Sequence, residues 1–181
     1  PLTTRPMASS IPRFHRLTVR DVRRETPHAV SIAFEVPPAL AGDFAFTPGQ
    51  YLTLRATIDG EDVRRSYSIC AGADDGELRV AVKAVAQGVF SRWVNQSLHP
   101  GDTLEVMTPT GRFGAGAAVP GGGVYVAFAA GSGITPVLSI VRTVLQREPS
   151  SRFFLFYGNK SAADILFRDS LLVLAPGRIQ Q

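Results

Sequence analysis

Residues 64 to 70 read RRSYSIC. In an extended strand successive side chains point to opposite faces. Arg65, Tyr67 and Ile69 then share one face, and Ser66, Ser68 and Cys70 the other. The first face carries a guanidinium fork beside a flat ring, with a small hydroxyl at its boundary. That combination suits a ligand that is both anionic and planar. The same run also suits an exposed edge strand with a solvated arginine pair and a half-buried tyrosine, so the flanking sequence has to decide.

On both sides of this stretch the chain reads as β-structure. FHRLTVRDVRRE, VSIAFEVP, QYLTLRATIDG, VRRSYSIC, LRVAVKAV and TLEVMTP are short runs rich in β-branched residues, bounded by Pro, Gly and Asp. Their spacing predicts a small antiparallel β-barrel or sandwich. One helix interrupts it: in GVFSRWVNQSL, residues 88–98, the apolar Phe90, Trp93, Val94 and Leu98 recur at helical spacing. HPGD, residues 99–102, reads as a turn.

After Gly111 the pattern changes. GAGAAVPGGG, residues 114–123, has linker composition. VYVAFAA is a continuous apolar run, the mark of a strand covered on both faces, and RFFLFYGN reads as a second. Between them GSGITPVLSIVRTVLQRE predicts a turn and a helix, with Ile134, Val137, Leu138, Val141, Val144 and Leu145 on one face. Strand, helix and strand form a βαβ unit with a parallel pair. ADILFRDSLLVLA predicts a further helix. The expected organisation is a flexible arm over 1–12, an antiparallel β-barrel over 13–116, and an incomplete parallel α/β domain over 117–181.

Composition narrows the function classes. The chain has 181 residues, 45% of them hydrophobic and 19% charged, with a formal net charge of +4, ordinary for a folded domain. No run approaches the ~20 apolar residues needed to span a bilayer, and the N-terminus lacks the apolar stretch of a secretory signal. The single cysteine, Cys70, excludes an intramolecular disulfide and a Cys-only metal site within this chain. A cytoplasmic setting follows, with no membrane partner. The arginines are dispersed, without a basic helix or groove, so nucleic acid is not an expected partner. His15, His28 and His99 are expected in the arm, a loop and a turn; no catalytic triad or metal cluster emerges.

Several short motifs carry ligand chemistry. In AAGSGITP, residues 129–136, a strand ends at Ala130 and a helix starts near Thr135. Gly131 and Gly133 let the backbone turn tightly, and the amides of a helix start attract phosphate. The spacing is not GxGxxG, and a plain βα connection fits it too. Gly88 and Ser91 in GVFS open the first helix, as an anion cradle or as an ordinary N-terminal cap. MTPTGRF, residues 107–113, and TPGQYL, residues 47–52, read as turns, and Lys83 lies inside an apolar run.

The motifs RRSYSIC, GVFS, MTPTGRF, AAGSGITP and YGNK occur in one order that resembles the ferredoxin–NADP reductase superfamily. Within it the chain looks like the reductase components of phenylacetyl-CoA oxygenases of phenylacetate degradation. The resemblance runs from Phe14 to about Leu171 and includes FRDSL, residues 167–171. It implies a flavin-binding barrel followed by a nicotinamide-binding α/β domain, with FAD and NADPH (or NADH) as cofactors and hydride transfer to the flavin. It implies that Arg65 binds the flavin pyrophosphate, that Tyr67 lies against the ring, and that Ser68 hydrogen-bonds near its N5. Tyr67 and Ser68 are then the residues nearest the chemistry. Val82, Lys83 and Val85 would line the flavin site, Gly88 and Ser91 would hold its phosphates, and Thr108 would close it. Gly131, Ser132, Gly133 and Thr135 would meet the nicotinamide nucleotide, and Asn159 and Lys160 its adenosine part. Lys160 stands where relatives tend to have arginine. The implied acceptors are the oxygenase proper or a ferredoxin. The resembled reductases carry a C-terminal plant-type ferredoxin domain with four cysteines. That 2Fe–2S domain and the later strands of the nucleotide domain are expected to be missing here. A free-standing flavin or ferredoxin reductase, or a non-catalytic flavin-binding module, are the alternatives.

Overall fold

A computed structural model describes residues 13–114, 122–174 and 179–180. The expected arm over 1–12, most of the expected linker and the domain boundary at 116 lie outside the described residues.

The first half forms one six-stranded antiparallel sheet: β1 (Phe14–Thr26), β2 (Ala29–Glu35), β3 (Tyr51–Ile58), β4 (Glu61–Ser68), β5 (Leu78–Lys83) and β6 (Thr103–Met107). The spatial order is β4-β3-β6-β1-β2-β5. All six β-branched runs expected to be strands are strands. The edge strands β4 and β5 approach each other just beyond Ser68, where Ile69 and Val80 form an isolated bridge. The sheet therefore curls around a single core. Alternate residues fill it, including Leu17, Ile32, Phe34, Leu52, Leu54, Val80, Val82 and Val106. Helix α1 (Val89–Ser97) adds Phe90 and Val94 to the same cluster.

The second half holds β7 (Val124–Ala130), α2 (Ile134–Arg147), β8 (Arg152–Gly158), α3 (Arg168–Val173) and β9 (Ile179–Gln180). The strands run parallel in the order β7-β8-β9. The six apolar residues expected on one helix face are all buried in α2. The strands differ from expectation. One face of β7 and β8 packs on α2, but Val124, Val126, Phe128 and Phe156 are exposed on the other. A continuous apolar run does not reveal whether a second layer covers it. The helix expected from ADILFRDSLLVLA is also broken. A 3-10 turn spans Ala162–Asp164, Phe167 adopts φ 59, and only then does α3 begin. That left-handed residue lets Leu166 and Phe167 bury together, at 0% and 5% exposure.

The halves meet along β5, which is buried on both faces. Val80 and Val82 point into the curled sheet, while Ala81 joins Cys70 and Ala29 against Ile134, Leu138 and Val141 of α2. Ile69 and Cys70 are both buried because the chain leaves β4 there, so the two neighbours enter different cores. Ser139 Oγ donates to the Ala71 carbonyl at 2.6 Å, and the Ala73 amide donates to Thr143 Oγ1 at 2.9 Å. Arg142 and Arg147 pair with Asp75 and Asp74 around the same loop. Burial pushes the Cys70 thiol up, so it stays protonated.

Beside the seam sits a network that alternation does not announce. Arg79, on β5, is 4% exposed. It donates to Asp21 Oδ2 at 2.6 Å, Glu77 Oε2 at 3.1 Å and Ser31 Oγ at 2.9 Å. The hydrogen bond from Arg79 holds the Asp21 carboxyl below its usual range. Removing the cation would leave Asp21 and Glu77 only their more exposed partners, Arg23 and Arg20, and would strip the buried Ser31 hydroxyl of a donor. Arg79→Leu should therefore destabilise the chain by about 2 kcal/mol, read as a lower urea midpoint at constant m-value; an unchanged midpoint would contradict this role.

Candidate functional site

The alternation in RRSYSIC holds in the structure and sorts the two arginines. Arg65 and Tyr67 pair across from Leu54 and Leu52 of β3 and share their face. Arg64 points the other way, pairs with Asp62 at 2.9 Å, and lies over the Phe14 ring at 5.4 Å. Arg65 meets no carboxylate among the described residues; its Nη1 donates to the Arg64 carbonyl at 2.6 Å. Tyr67 is half-buried, its ring stacked on Phe90 at 5.9 Å between centroids and 29° between planes. As the edge-strand reading requires, β4 is an edge strand with an exposed Arg65. What separates the two readings is the cavity beside it.

That cavity, of about 440 Å³, is lined by three segments. The first contributes Arg65, Ser66, Tyr67 and Ser68 from β4. The second contributes Ala81 and Lys83 of β5, then Val85, Gly88, Phe90 and Ser91. The third contributes Ser132, Gly133, Thr135 and Pro136 at the start of α2. Two helix starts thus face one space. The first amides of a helix have no intrahelical acceptor and carry partial positive charge. The Val85 amide donates to Ser91 Oγ at 3.2 Å, and that hydroxyl donates to the Gly88 carbonyl at 3.3 Å. This closed loop leaves no room at residue 88, where a Cβ would collide with Ser91 Oγ and Val85 Cγ2. Before α2 the chain turns at Gly131, with φ 49, a value glycine adopts without strain. Its carbonyl accepts from the Tyr157 hydroxyl at 2.9 Å, and Thr135 Oγ1 donates to the Ser132 carbonyl at 2.9 Å.

The charge balance selects the ligand. Among the described residues that line it none is acidic, and two are cations, Arg65 and Lys83. Only Lys83 has an ion-pair partner among the described residues, Asp164 at 3.3 Å. The cavity therefore favours an anion, and the Tyr67 ring offers a flat apolar contact. A larger cavity of about 580 Å³, between the β2 end and the 73–78 loop, also has arginines on its wall. Those, Arg20 and Arg147, are already paired with Glu77 and Asp74.

Five expected site residues lie off the cavity wall. Val82 is fully buried in the sheet core. Thr108 is 8% exposed, with its amide donating to the Arg13 carbonyl at 3.2 Å. Gly131 shapes the turn behind the wall, and Asn159 and Lys160 follow the end of β8. His15 lies in β1 with its ring edge-on to Phe44, not in the arm. The MTPTGRF and TPGQYL turns, which read as separate, are bridged: the amides of Tyr51 and Thr110 each donate to the other's carbonyl. Ala81, Phe90 and Pro136 also line the wall; Phe90 and Pro136 lie inside the GVFS and AAGSGITP motifs but carry no expected ligand role, and Phe90 stands out in the sequence only as an apolar position of a helix. Among the described residues no cluster of His, Cys, Asp or Glu could hold a metal, and no helix is long and apolar enough to cross a membrane.

Comparison with known proteins gives the family of both halves. Residues 17–114 match the oxidoreductase FAD-binding domain family, and residues 128–178 match the oxidoreductase NAD-binding domain family. The chain is 49% identical over 170 residues to a component of the 1,2-phenylacetyl-CoA epoxidase of Escherichia coli, covering 92% of this chain and 48% of that protein. It is 37% identical to the ferredoxin reductase component of the 3-ketosteroid-9-alpha-monooxygenase of Rhodococcus rhodochrous, covering 88% of this chain and 45% of that one. The chain thus spans about half the length of these curated relatives. Among solved structures, the cytochrome P450 reductase of Amycolatopsis superposes with a TM-score of 0.76 at 28% identity, over 94% of this chain and 51% of that one. A ferredoxin–NADP⁺ reductase from Neisseria gonorrhoeae, solved with FAD and NADP, shares the fold, with a TM-score of 0.73 at 23% identity over 92% of this chain and 65% of that one.

Burial pushes the Tyr67 phenol up to about 12, with the Arg65 charge pulling the other way. An unfolded tyrosine ionises near pH 10. The folded chain therefore holds this proton where the unfolded chain releases it. The resulting stability is complete below about pH 10 and is lost as pH rises towards 12. In an ultraviolet phenolate titration the Tyr67→Phe variant should lose a late-titrating step, and Arg65→Met should move that step later still. A Tyr67 step near pH 10 would contradict the burial.

Proposed function

Because the chain belongs to the ferredoxin–NADP reductase-like oxidoreductases, with their FAD-binding and NAD-binding domains, we propose that it is the flavin- and nicotinamide-binding part of an oxygenase reductase component. In this reading electrons pass from NADPH through FAD to an iron–sulfur carrier of a phenylacetyl-CoA oxygenase, in the cytoplasm. The likeness to the epoxidase component supports that assignment. The carrier would be a 2Fe–2S centre outside these residues. The observation that carries the reading is the cavity itself: a guanidinium without a carboxylate partner among the described residues, a half-buried phenol and two helix starts around one space.

The residues present fit FAD. Arg65 has no competing carboxylate among the described residues and would hold the pyrophosphate bidentately. The amides that open α1, set by the Gly88–Ser91 loop, would take phosphate oxygens. Tyr67, braced by Phe90, would cover the ring face, and the Ser68 hydroxyl would reach the ring edge near N5. Val85 and Lys83 would border the ring, with Val82 and Thr108 supporting from behind the wall. Ser132, Gly133 and Thr135, on the opposite side of the cavity, would orient the nicotinamide and keep water from the space between the rings. Flavin, when bound, supplies hydride acceptance from a nicotinamide and release of single electrons, while the protein controls orientation and electrostatics.

Asn159 and Lys160 would border the adenosine part of the nucleotide. An exposed lysine there favours a 2′-phosphate, though without the fork of an arginine. Lys160→Ala should raise the KM for NADPH more than that for NADH; an equal effect on both would remove the preference.

The direct test is FAD titration of the purified chain, followed by visible absorption and quenching of flavin fluorescence. The unaltered chain should bind with a shifted flavin spectrum. Arg65→Ala combined with Tyr67→Ala should lose at least about tenfold in affinity, the equivalent of roughly 1.4 kcal/mol. Full flavin occupancy in that double variant would contradict the assignment.

A further inference from the structure

Lys83 and Asp164 join the two halves of the chain at the edge of the cavity. Lys83 lines the cavity from β5, while Asp164 stands behind it in the second half and does not line it. Their Nζ and Oδ1 atoms lie 3.3 Å apart, with side chains 28% and 25% exposed. The carboxylate is held from its other side as well, because Ser161 Oγ donates to Asp164 Oδ2 at 2.9 Å. The turn that carries Asp164 is itself anchored. The Leu166 amide donates to the Tyr157 hydroxyl at 3.2 Å, and that hydroxyl donates to the Gly131 carbonyl, one residue before the cavity wall resumes at Ser132. Asp164 thus shares a rigid frame with the GSG turn and reaches across to the opposite wall.

Of the two cations at the cavity, only Lys83 is tempered by a carboxylate among the described residues. A carboxylate at this distance shares the ammonium charge and fixes the direction of a side chain with four rotatable bonds. Taking the cavity as the flavin site proposed above, on which this inference rests, we propose that Asp164 is a positioning residue that acts through Lys83. It holds the ammonium on the rim and withholds part of its charge from the anionic ligand.

The sign of the effect sets this apart from a merely structural contact. If Asp164 only braced the seam, its removal would loosen the site and weaken flavin binding. If it tempers Lys83, its removal leaves a full positive charge to the ligand and strengthens binding. At low ionic strength Asp164→Asn should tighten FAD binding about threefold to fivefold, the range set by partly exposed ion pairs. The gain should disappear at about 1 M salt, where the Debye length is roughly 3 Å. Lys83→Met should weaken binding, and Asp164→Asn added to Lys83→Met should change nothing further. Asp164→Glu should restore the unaltered affinity. Melting of each flavin-free variant, measured in parallel, shows that the compared chains are folded. Should Asp164→Asn alone fail to fold, the Lys83→Met and Asp164→Glu chains carry the test, and unaltered binding in Lys83→Met overturns the proposal.

Unchanged or weaker FAD binding in Asp164→Asn overturns the assignment, as does a gain that persists without Lys83. Failure of the underlying flavin reading looks different: the Arg65→Ala, Tyr67→Ala chain would then bind FAD as the unaltered chain does. Loss of binding in that double variant, together with no gain in Asp164→Asn, rejects the role of Asp164 alone.

Discussion

Everything in this molecule hangs on β5 being buried on both faces. A strand at the edge of a curled sheet normally turns one face to water. Here one side of LRVAVK fills the sheet core with Val80 and Val82, and the other gives Ala81 to α2. Alanine matters there because a larger side chain would hold the helix off. The close approach aligns the start of α2 with the start of α1 across one gap, and that gap is the cavity. The loop from Ala71 to Asp75 fastens the far end of α2 with two hydroxyl hydrogen bonds and two ion pairs. The site is therefore a product of the seam, and neither half holds it alone.

Chemistry at the cavity comes from sorting like residues into unlike environments. Arg64 and Arg65 are adjacent, yet the pleat sends one to Asp62 and the Phe14 ring and leaves the other facing a space whose described walls hold no carboxylate. Arg79 and Lys83 lie on one strand, yet Arg79 is locked in a buried network while Lys83 reaches the cavity with Asp164 as its partner. A guanidinium without a carboxylate, close to an aromatic ring, has unsatisfied donors, and phosphate and a planar ring system satisfy both at once.

Much of this was legible in the residues. Short runs of β-branched residues between Pro, Gly and Asp found the six strands, and the helical spacing of Ile134, Val137, Leu138 and Val141 found α2 together with its buried face. The cavity wall from Arg65 to Ser68, and from Ser132 to Thr135, follows from local backbone geometry that short motifs encode. What stayed hidden depends on contacts distant in sequence. The exposure of Val126 and Phe128 turns on whether another layer covers them, which an apolar run does not encode. The break at Phe167 follows from burying Leu166 and Phe167 together, against a pattern that still looks helical. Phe90 joins the wall because Tyr67 stacks on it, 23 positions earlier in the chain. Asp164 belongs to no motif and acquires meaning only from its distance to Lys83.

The most direct test of a flavin held at this seam is a crystal structure of the flavin-saturated chain. The account predicts ring density against Tyr67, pyrophosphate at Arg65 and the start of α1, and the α2 turn across the gap. Flavin bound elsewhere, or a vacant cavity with Arg65 and Tyr67 turned to solvent, would contradict it.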